Sequence, residues 1–186
     1  MRKILLCIIC ILMSSLVLAQ GQQGMYESGT ESRVQSGNYM IESGKQVQVK
    51  EQSNNQVQLR SGNASAQTSM EMVQEQTQNQ TRLKVKLSNG NNSEVKVMPD
   101  TASKKAMERL KIRVCSEENS CQIELKEVGI GEQIKVAYEV RVQKQAKFLG
   151  LFEIRMQVQA QVDAENGEVI QIKKPWWAFL VSESEE

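Results

Sequence analysis

Apolar residues alternate with polar ones along most of this chain, and this spacing limits the folds that it can adopt. A period of two is typical of β-strands that bury one face and expose the other. From about residue 45 the alternating apolar residues are Val47 and Val49, Val57 and Leu59, Met70 and Met72, Leu83, Val85 and Leu87, and Val95 and Val97. We therefore predict a series of β-strands in this region.

Turn residues separate these strands and predict how they are connected. Residues 52–55, 60–63 and 88–92 are rich in Ser, Asn and Gly. Asn89 and Gly90 tolerate positive φ angles, so we predict a tight hairpin between the fourth and fifth strands. Such turns connect antiparallel neighbours, and residues 45–98 are predicted to form a region of β-hairpins.

The longest alternating segments lie in the carboxyl half. We predict strands there around Ile123 and Leu125, over residues 135–147 and 151–162, and over residues 169–172. Between the last two, residues 163–168 predict a tight turn in which Asn166 or Gly167 takes a positive φ angle. This turn superficially resembles a calcium-binding loop, but its glycine and ligand positions do not match one, so we interpret it as a plain hairpin.

One segment in the middle of the chain changes from alternation to helical spacing. Pro99 ends the preceding strand, and Asp100 or Thr101 can cap a helix over residues 101–112. The apolar residues spaced by three and four are Ala102, Ala106, Met107, Leu110 and Ile112. The predicted fold class is α+β and mostly antiparallel β, a meander of hairpins with this helix packed on a C-terminal antiparallel sheet. We assign the helix and this sheet to residues 99–180.

The amino terminus resembles a segment that directs export. Arg2 and Lys3 precede an apolar run over residues 4–18, which ends at the small residue Ala19 before a polar stretch. We predict a signal peptide over residues 1–19 and a secreted or cell-envelope protein. A retained membrane anchor is the alternative, although the run falls short of the ~20 residues that span a bilayer.

Residues 20–44 follow this segment and are rich in Gln, Ser and Gly, with few apolar residues. We predict a flexible leader there, because so few apolar residues cannot form a core. At the other end of the chain, residues 181–186 form an acidic terminus.

Charge and composition exclude several function classes. The chain has 23 basic and 22 acidic residues and no histidine. The balanced charge argues against nucleic-acid binding, and the missing imidazole removes Ser-His and Cys-His nucleophiles and most zinc sites. We find no phosphate-binding glycine loop and no nucleophile elbow, and we predict no catalytic residues, no metal and no cofactor.

Two cysteines and three Asn sequons are candidates for covalent modification. Cys7 and Cys10 lie within the predicted signal peptide, which leaves Cys115 and Cys121 in an oxidising compartment. We predict that they form a disulfide, with a redox or metal-binding pair as the less favoured alternative. The sequons, which are candidate glycosylation sites, begin at Asn63, Asn79 and Asn91.

The carboxyl terminus carries the least usual chemistry in the sequence. Trp176, Trp177 and Phe179 lie within four residues of one another. We interpret them as an aromatic strap that folds back over the face or edge of the sheet. The alternative is an anchor for a partner or a membrane surface, supported by the neighbouring Lys173 and Lys174. The three aromatic residues are therefore the candidate partner-binding residues.

The helix with its alanines Ala102 and Ala106, followed by strands that end in the turn of residues 162–169, resembles the PepSY module over about residues 100–174. The chain and its tail of residues 173–180 are also similar to secreted archaeal proteins. PepSY modules occur in secreted peptidase propeptides and in cell-envelope proteins. The resemblance implies a module that binds a peptide or protein and can restrain a peptidase.

We therefore predict a secreted or envelope-associated binding module without enzymatic activity, whose partner is a protein or peptide. One alternative is a structural protein of the cell surface. Another is a hydrolase that works with carboxylates alone, built on Asp163, Glu165 or Glu168.

Overall fold

A computed structural model describes residues 30–53, 55–77, 80–113, 115, 121–129 and 133–183. The predicted signal peptide lies outside these residues, as do residues 184–186 of the acidic terminus. Within them the chain forms thirteen strands and one α-helix. The strands are β1 (Thr30–Arg33), β2 (Gly37–Met40), β3 (Gln46–Glu51), β4 (Val57–Ser61), β5 (Ala64–Thr68), β6 (Met72–Thr77), β7 (Gln80–Lys86), β8 (Asn92–Glu94), β9 (Gln122–Val128), β10 (Lys135–Phe148), β11 (Phe152–Asp163), β12 (Val169–Lys173) and β13 (Val181–Glu183). The helix α1 (Pro99–Leu110) lies between β8 and β9.

The strands form two sheets. The smaller sheet has the order β1-β6-β7-β8, and the larger has the order β12-β11-β10-β9-β5-β4-β3-β2, with β13 as a ninth strand beside β10. Every pairing between these strands is antiparallel except that of β5 with β9, where Gln67 lies opposite Glu124. The predicted α+β fold, mostly antiparallel β with a single helix, is confirmed.

The alternation seen in the sequence corresponds to one buried face of each strand. β3, β4 and β7 bury alternate residues, and so do the outer parts of β10 and β11, whereas residues 136–140 and 160–163 are buried on both faces. The buried apolar residues of both sheets and of α1 belong to one hydrophobic core. Alternation therefore predicted the core-facing residues in most of these strands, but not in β12 or at Phe152, which are exposed.

The helix begins and ends two residues earlier than predicted, at Pro99 and Leu110 instead of 101 and 112. Pro99 does not end the preceding strand but occupies the first turn, where its missing N–H costs nothing. Lys111 takes a left-handed conformation with φ 55° and ends the helix, although Ile112 beyond it is still buried. The helix packs against β11 and also contacts β4, β5, β10 and β12, so its predicted packing on the C-terminal sheet is confirmed.

Asp100 was predicted as a helix cap, together with Thr101, but it has another role. The residue at the N-cap position is Met98, and no side chain caps the helix there. The Asp100 carboxylate instead accepts hydrogen bonds from Lys45 Nζ at 3.0 Å and from Ser61 Oγ at 3.1 Å. The start of α1 is thereby tied to β4 and to the loop before β3.

The prediction of a flexible leader over residues 20–44 is wrong for residues 30–44. β1 pairs with β6, and β2 pairs with β3. Val34 and Ile41 are buried, and the Val34 amide donates to the Met72 carbonyl oxygen at 3.1 Å. Two apolar anchors suffice here because backbone pairing in a strand does not depend on side-chain polarity.

The region 45–98 does not form a single meander. Its strands β3, β4 and β5 belong to the large sheet, whereas β6, β7 and β8 belong to the small one. β5 was not predicted, because its inward residues are the small Ala66 and the polar Thr68. Met70 was predicted in a strand, but it lies in the connection before β6.

Two predicted turns are confirmed. Asn89 and Gly90 turn the chain between β7 and β8, with φ 84° at Gly90 and a hydrogen bond from the Leu87 amide to the Asn91 carbonyl oxygen at 2.8 Å. Gly167 takes φ 75° in the turn between β11 and β12. These positive φ angles are the conformations that glycine adopts without steric cost.

Candidate functional site

The carboxyl-terminal segment crosses one face of the long hairpin formed by β10 and β11. β12 pairs with β11, and β13 pairs with the edge of β10 that faces away from β11. The 3-10 helix Trp176–Leu180, which connects β12 to β13, therefore spans β10 and β11. Trp177 and Ala178 pack against the hydrophobic core. We call Trp176–Leu180 the strap. Its course agrees with the interpretation that the tail folds back over the sheet.

The aromatic side chains of the strap do not share one environment. Trp177 is partly buried, but Trp176 is 82% exposed and Phe179 is 75% exposed. The interpretation that all three add buried area to the core is therefore wrong for two of them. In a 3-10 helix successive side chains point in different directions, so a short strap can bury only part of its apolar surface.

The turn at the end of the same hairpin also exposes apolar side chains. Leu151 is 78% exposed, and Leu149 and Phe152 are exposed as well. The Leu149 amide donates to the Leu180 carbonyl oxygen at 3.0 Å, which joins this turn to the strap. We call the surface formed by Leu149, Leu151 and Phe152 the apolar tip; the strap meets it at Leu180.

At the other side of the hairpin, β12 is an edge strand of the large sheet. Within the residues that the structure describes, no strand pairs with its outer edge. Ile172 is 42% exposed, and Ile170 is exposed to a similar degree. A groove with a cavity volume of about 430 Å³ lies between the start of β12 and α1, and we call it the edge groove. Its lining residues are Lys105, Glu108, Arg109, Gly167, Glu168 and Val169.

The face of the large sheet that points away from α1 carries a buried ionic cluster. Glu139 in β10 is only 2% exposed, and its carboxylate accepts hydrogen bonds from Lys126 Nζ at 2.6 Å, Arg141 Nε at 2.7 Å and Gln161 Nε2 at 3.0 Å. Arg141 also reaches Glu124 Oε2 at 3.2 Å. The cluster links β9, β10 and β11 through their side chains.

The partners of Glu139 determine its ionisation. Burial alone raises the pKa of its carboxyl group, but the hydrogen bonds from Lys126, Gln161 and Arg141 outweigh burial and hold the pKa below its usual value. Glu139 is therefore ionised at neutral pH and cannot act there as a general acid.

A polar cavity of about 480 Å³ lies beside this cluster, where β5 meets β9. Glutamine amides and charged groups form much of its lining, which includes Gln58, Gln67, Gln122, Glu124, Glu139 and Arg141. The charged side chains that line it, Glu124, Glu139 and Arg141, already pair with one another, which favours a structural role.

No protein-family model, no curated protein and no solved structure matches this chain. The resemblance to the PepSY module therefore stays a prediction, and the function must be argued from the surfaces described above. Among the residues that the structure describes, no helix is both long and apolar enough to cross a bilayer.

The carboxylates proposed for a hydrolase lie in the turn between β11 and β12. Asp163 is buried, and its Oδ1 accepts the Glu165 amide at 2.8 Å and the Asn166 amide at 3.3 Å. Glu165 is exposed and pairs with Lys96 at 3.2 Å. Glu168 lines the edge groove. Asp163 therefore stabilises the turn, and the hydrolase stays an alternative prediction without a reactive arrangement to support it.

Cys115 and Cys121 lie side by side. Their Cα atoms are 5.3 Å apart, which is within the usual range for a disulfide. The segment between them, residues 116–120, lies outside the described residues.

Replacing Cys115 and Cys121 with serine is expected to lower the free energy of unfolding by about 2 to 2.5 kcal/mol, the chain-entropy value for so short a loop. Urea unfolding of the wild-type protein with and without reductant measures this difference. The double-serine variant is the control, because reductant should leave its midpoint unchanged. If reductant also leaves the wild-type midpoint unchanged, the bond does not form.

Two of the three candidate glycosylation sites can be located. Asn63 is exposed in the turn between β4 and β5, and Asn91 is exposed just before β8. Asn79 lies outside the described residues. Both located side chains stand at turns, where a modifying enzyme needs access, and glycosylation stays a prediction.

The residues of the ionic cluster, Glu139 above all, were not predicted from the sequence. Alternation correctly places these residues on the face opposite the core, and that face of an antiparallel sheet is commonly exposed to solvent. The available signal was cross-strand: Glu139 lies opposite Glu124 on one side and Gln161 on the other. Two carboxylates in register require cations, which Lys126 and Arg141 supply.

Proposed function

We propose that this protein is an exported, non-enzymatic binding module that takes up an extended segment of a partner protein at the outer edge of β12. The observation that carries the proposal is an edge strand with two exposed isoleucines, Ile170 and Ile172, on a sheet that ends there among the described residues. We restrict the proposal to binding because the carboxylates described above, Asp163, Glu165 and Glu168, do not form a reactive arrangement.

An edge strand offers unpaired N–H and C=O groups to another strand. Proteins commonly protect such edges with charged side chains, with proline or with a covering segment. β12, five residues long, has an irregularity in its pairing opposite Gln161 and Val162 and ends at Lys173, yet it keeps Ile170 and Ile172 exposed. A segment added beside it would gain main-chain hydrogen bonds and would bury Ile170 and Ile172, which is the usual basis of β-strand addition.

The edge groove supports an extended partner of mixed polarity. Lys105 and Arg109 on one wall and Glu168 on the other place charges of both signs beside the start of β12. Side chains on one face of the added strand would meet these charges, while apolar side chains farther along would meet the isoleucines. A segment that alternates apolar and charged residues suits this surface.

The resemblance to PepSY modules favours a peptidase as the partner class. Strand addition holds a segment of the partner in an extended conformation without cleaving it. An exported module that works in this way would restrain the peptidase by occupying part of its chain.

The test compares Ile172→Lys with Met40→Lys in pull-downs from the exported proteins of the producing organism. Met40 is 45% exposed, close to the 42% of Ile172, and it lies in β2 at the opposite edge of the same sheet. We expect a partner to be retained by the wild type and by Met40→Lys. Ile172→Lys should retain roughly tenfold less, because it lacks the isoleucine that the partner would bury.

Circular dichroism spectra of the two variants should match that of the wild type, because both substitutions are at exposed positions. Equal retention by Ile172→Lys and wild type would exclude the β12 edge as the binding surface. If the wild type retains nothing at low or at high salt, the proposed function itself is wrong.

A further inference from the structure

The outer edge of β12 stays unpaired within a single copy of the chain. Among the described residues no strand pairs with this edge, and Ile170 and Ile172 are exposed along it. An edge strand of this kind tends to pair with another strand, and proteins usually cover or disrupt it. A reversible occupant would protect the edge in the free protein without blocking the partner.

The strand β12 and the residues beside it are complementary to a second copy of themselves that runs in the opposite direction. The pairing is centred on Gln171, which lies opposite Gln171 of the second copy. In this register Ile170 lies opposite Ile172. One pair farther out, Glu168 lies opposite Lys174. Each pair occurs twice, because a two-fold axis relates the copies. Apolar pairs and oppositely charged pairs at such positions stabilise a sheet.

The structure places these side chains on one face of the sheet. Ile172 pairs with Ala160, a fully buried core residue, so its side chain is on the side of the sheet that faces α1. Glu168 lines the edge groove, which lies on that same side. Pro175 favours an extended conformation for the residue before it, so the direction of the strand continues to Lys174. The segment therefore carries opposite charges at its two ends, on the face that bears the isoleucine.

The neighbouring registers match less well. Two-fold symmetry requires one residue of β12 to lie opposite itself, and residues that lie opposite each other share a face. With Ile170 on the axis, Glu168 would lie opposite Ile172. With Ile172 on the axis, Ile170 would lie opposite Lys174. Both registers place a charged residue opposite an isoleucine, so the register centred on Gln171 is favoured.

We propose that β12 of the free protein pairs antiparallel with β12 of a second copy, centred on Gln171, and that a partner segment binds by displacing this copy. The displacement rests on the proposed function, since both occupants use the same edge. The contact involves few residues, whereas stable interfaces use roughly 20 to 30 a side. The pairing of β12 with β11 is also irregular opposite Gln161 and Val162, and such irregularities weaken edge pairing. Both features favour a weak dimer that a partner can separate.

Sedimentation equilibrium of the purified full chain tests the pairing without any partner. We expect a monomer–dimer equilibrium for the wild type and for Met40→Lys. Ile172→Lys should weaken dimerisation roughly tenfold or more, because two isoleucine contacts are lost per dimer. A wild type that stays monomeric up to its solubility limit would overturn the inference. Dimers that Ile172→Lys leaves intact would also overturn it, and would assign the contact to another surface, such as the apolar tip.

Exchange of the terminal charges tests the register. Glu168→Lys alone, or Lys174→Glu alone, places like charges opposite each other twice in the dimer. Each should weaken dimerisation roughly fivefold. The variant with both substitutions restores the ion pairs with reversed signs, so it should dimerise like the wild type. Losses that simply add in the double variant would contradict the register.

Cross-linking at the two-fold axis gives a second test of the register. Directly opposite residues in an antiparallel pair have Cα atoms about 4.5 to 5.5 Å apart, within the range for a disulfide. We expect Gln171→Cys to form a covalent dimer under oxidising conditions. Lys173→Cys, on the same face but farther from the axis, should form much less, as should the wild type with its four native cysteines. Equal cross-linking of the two variants, or none in Gln171→Cys, would overturn the inference.

Failure of this inference is distinguishable from failure of the proposed function. A wild type that is monomeric but retains a partner in the pull-down overturns the self-pairing alone. A dimer that retains no partner supports the self-pairing and overturns the proposed function. When both hold, the cross-linked Gln171→Cys dimer should retain little partner and should regain it on reduction, with reduced wild type as the control. Equal retention before and after reduction would show that the two occupants do not compete.

Discussion

Replacing Tyr138 with alanine is expected to lower the free energy of unfolding by about 4 kcal/mol, in line with the cost of truncating a buried aromatic residue. Tyr138 is fully buried in β10. Its hydroxyl donates to the Val97 carbonyl oxygen at 2.8 Å, in the connection between β8 and α1. The side chain thus fills the core and also holds the segment that joins the small sheet to the helix.

The variant Tyr138→Phe separates these two contributions. It keeps the ring but removes the hydroxyl, and we expect a loss of about 1 to 2 kcal/mol. Burial, and to a lesser degree the charge of Asp100, raise the pKa of Tyr138 well above its usual value, so the hydroxyl stays a neutral donor throughout the working pH range. Urea unfolding followed by circular dichroism measures both variants. A loss below 1 kcal/mol for Tyr138→Ala would contradict the packing described here.

The second large effect is expected for Glu139→Ala, with a loss of about 2 to 3 kcal/mol at pH 7. Removing one partner of a buried ion pair leaves the other charges unpaired. Lys126 and Arg141 remain about one-third exposed, so water compensates part of the loss, and the effect should fall below that of a fully buried pair. Glu153→Ala, at an exposed position, is the control and should change stability by less than about 0.5 kcal/mol.

The contribution of Glu139 should depend on pH in a defined direction. Because its pKa is lower in the folded protein than in the unfolded chain, its contribution is present above the unfolded value and is lost as pH falls through the folded value. The difference between wild type and Glu139→Ala should therefore shrink as unfolding is measured at successively lower pH. A difference that stays constant down to acid pH would show that the carboxylate charge does not matter.

Much of the fold could be predicted because alternation and turn residues act locally. They located the core-facing side of β3, β4, β7, β10 and β11 and the hairpin at Gly90. Alternation fails where inward residues are small or polar, as in β5, and where pairing depends on the backbone, as in β1 and β2. Alternation also indicates which face of a strand is buried but not which strand lies beside it, so the division into two sheets could not be predicted.

The candidate surfaces were predicted only in part. The aromatic residues of the tail were identified from their clustering, but the sequence did not reveal that Trp176 and Phe179 stay exposed while Trp177 packs inward. The hydrogen bond between Leu149 and Leu180 joins the apolar tip to the strap, which follows about thirty positions later in the sequence. This connection depends on the pairing of β13 with β10, and β13 has only three residues, too few for the sequence to predict that pairing.

The parallel contact between β5 and β9 has a consequence for folding kinetics. The segment between these two strands contains the entire β6-β7-β8 hairpin array and α1, so the contact closes a very long loop. Hairpins of neighbouring strands form quickly, whereas a distant contact must first overcome the entropy of loop closure. The two parts of the large sheet should therefore collapse separately and join late. Substitutions at this junction are expected to slow refolding more than they accelerate unfolding if the junction forms in the rate-limiting step.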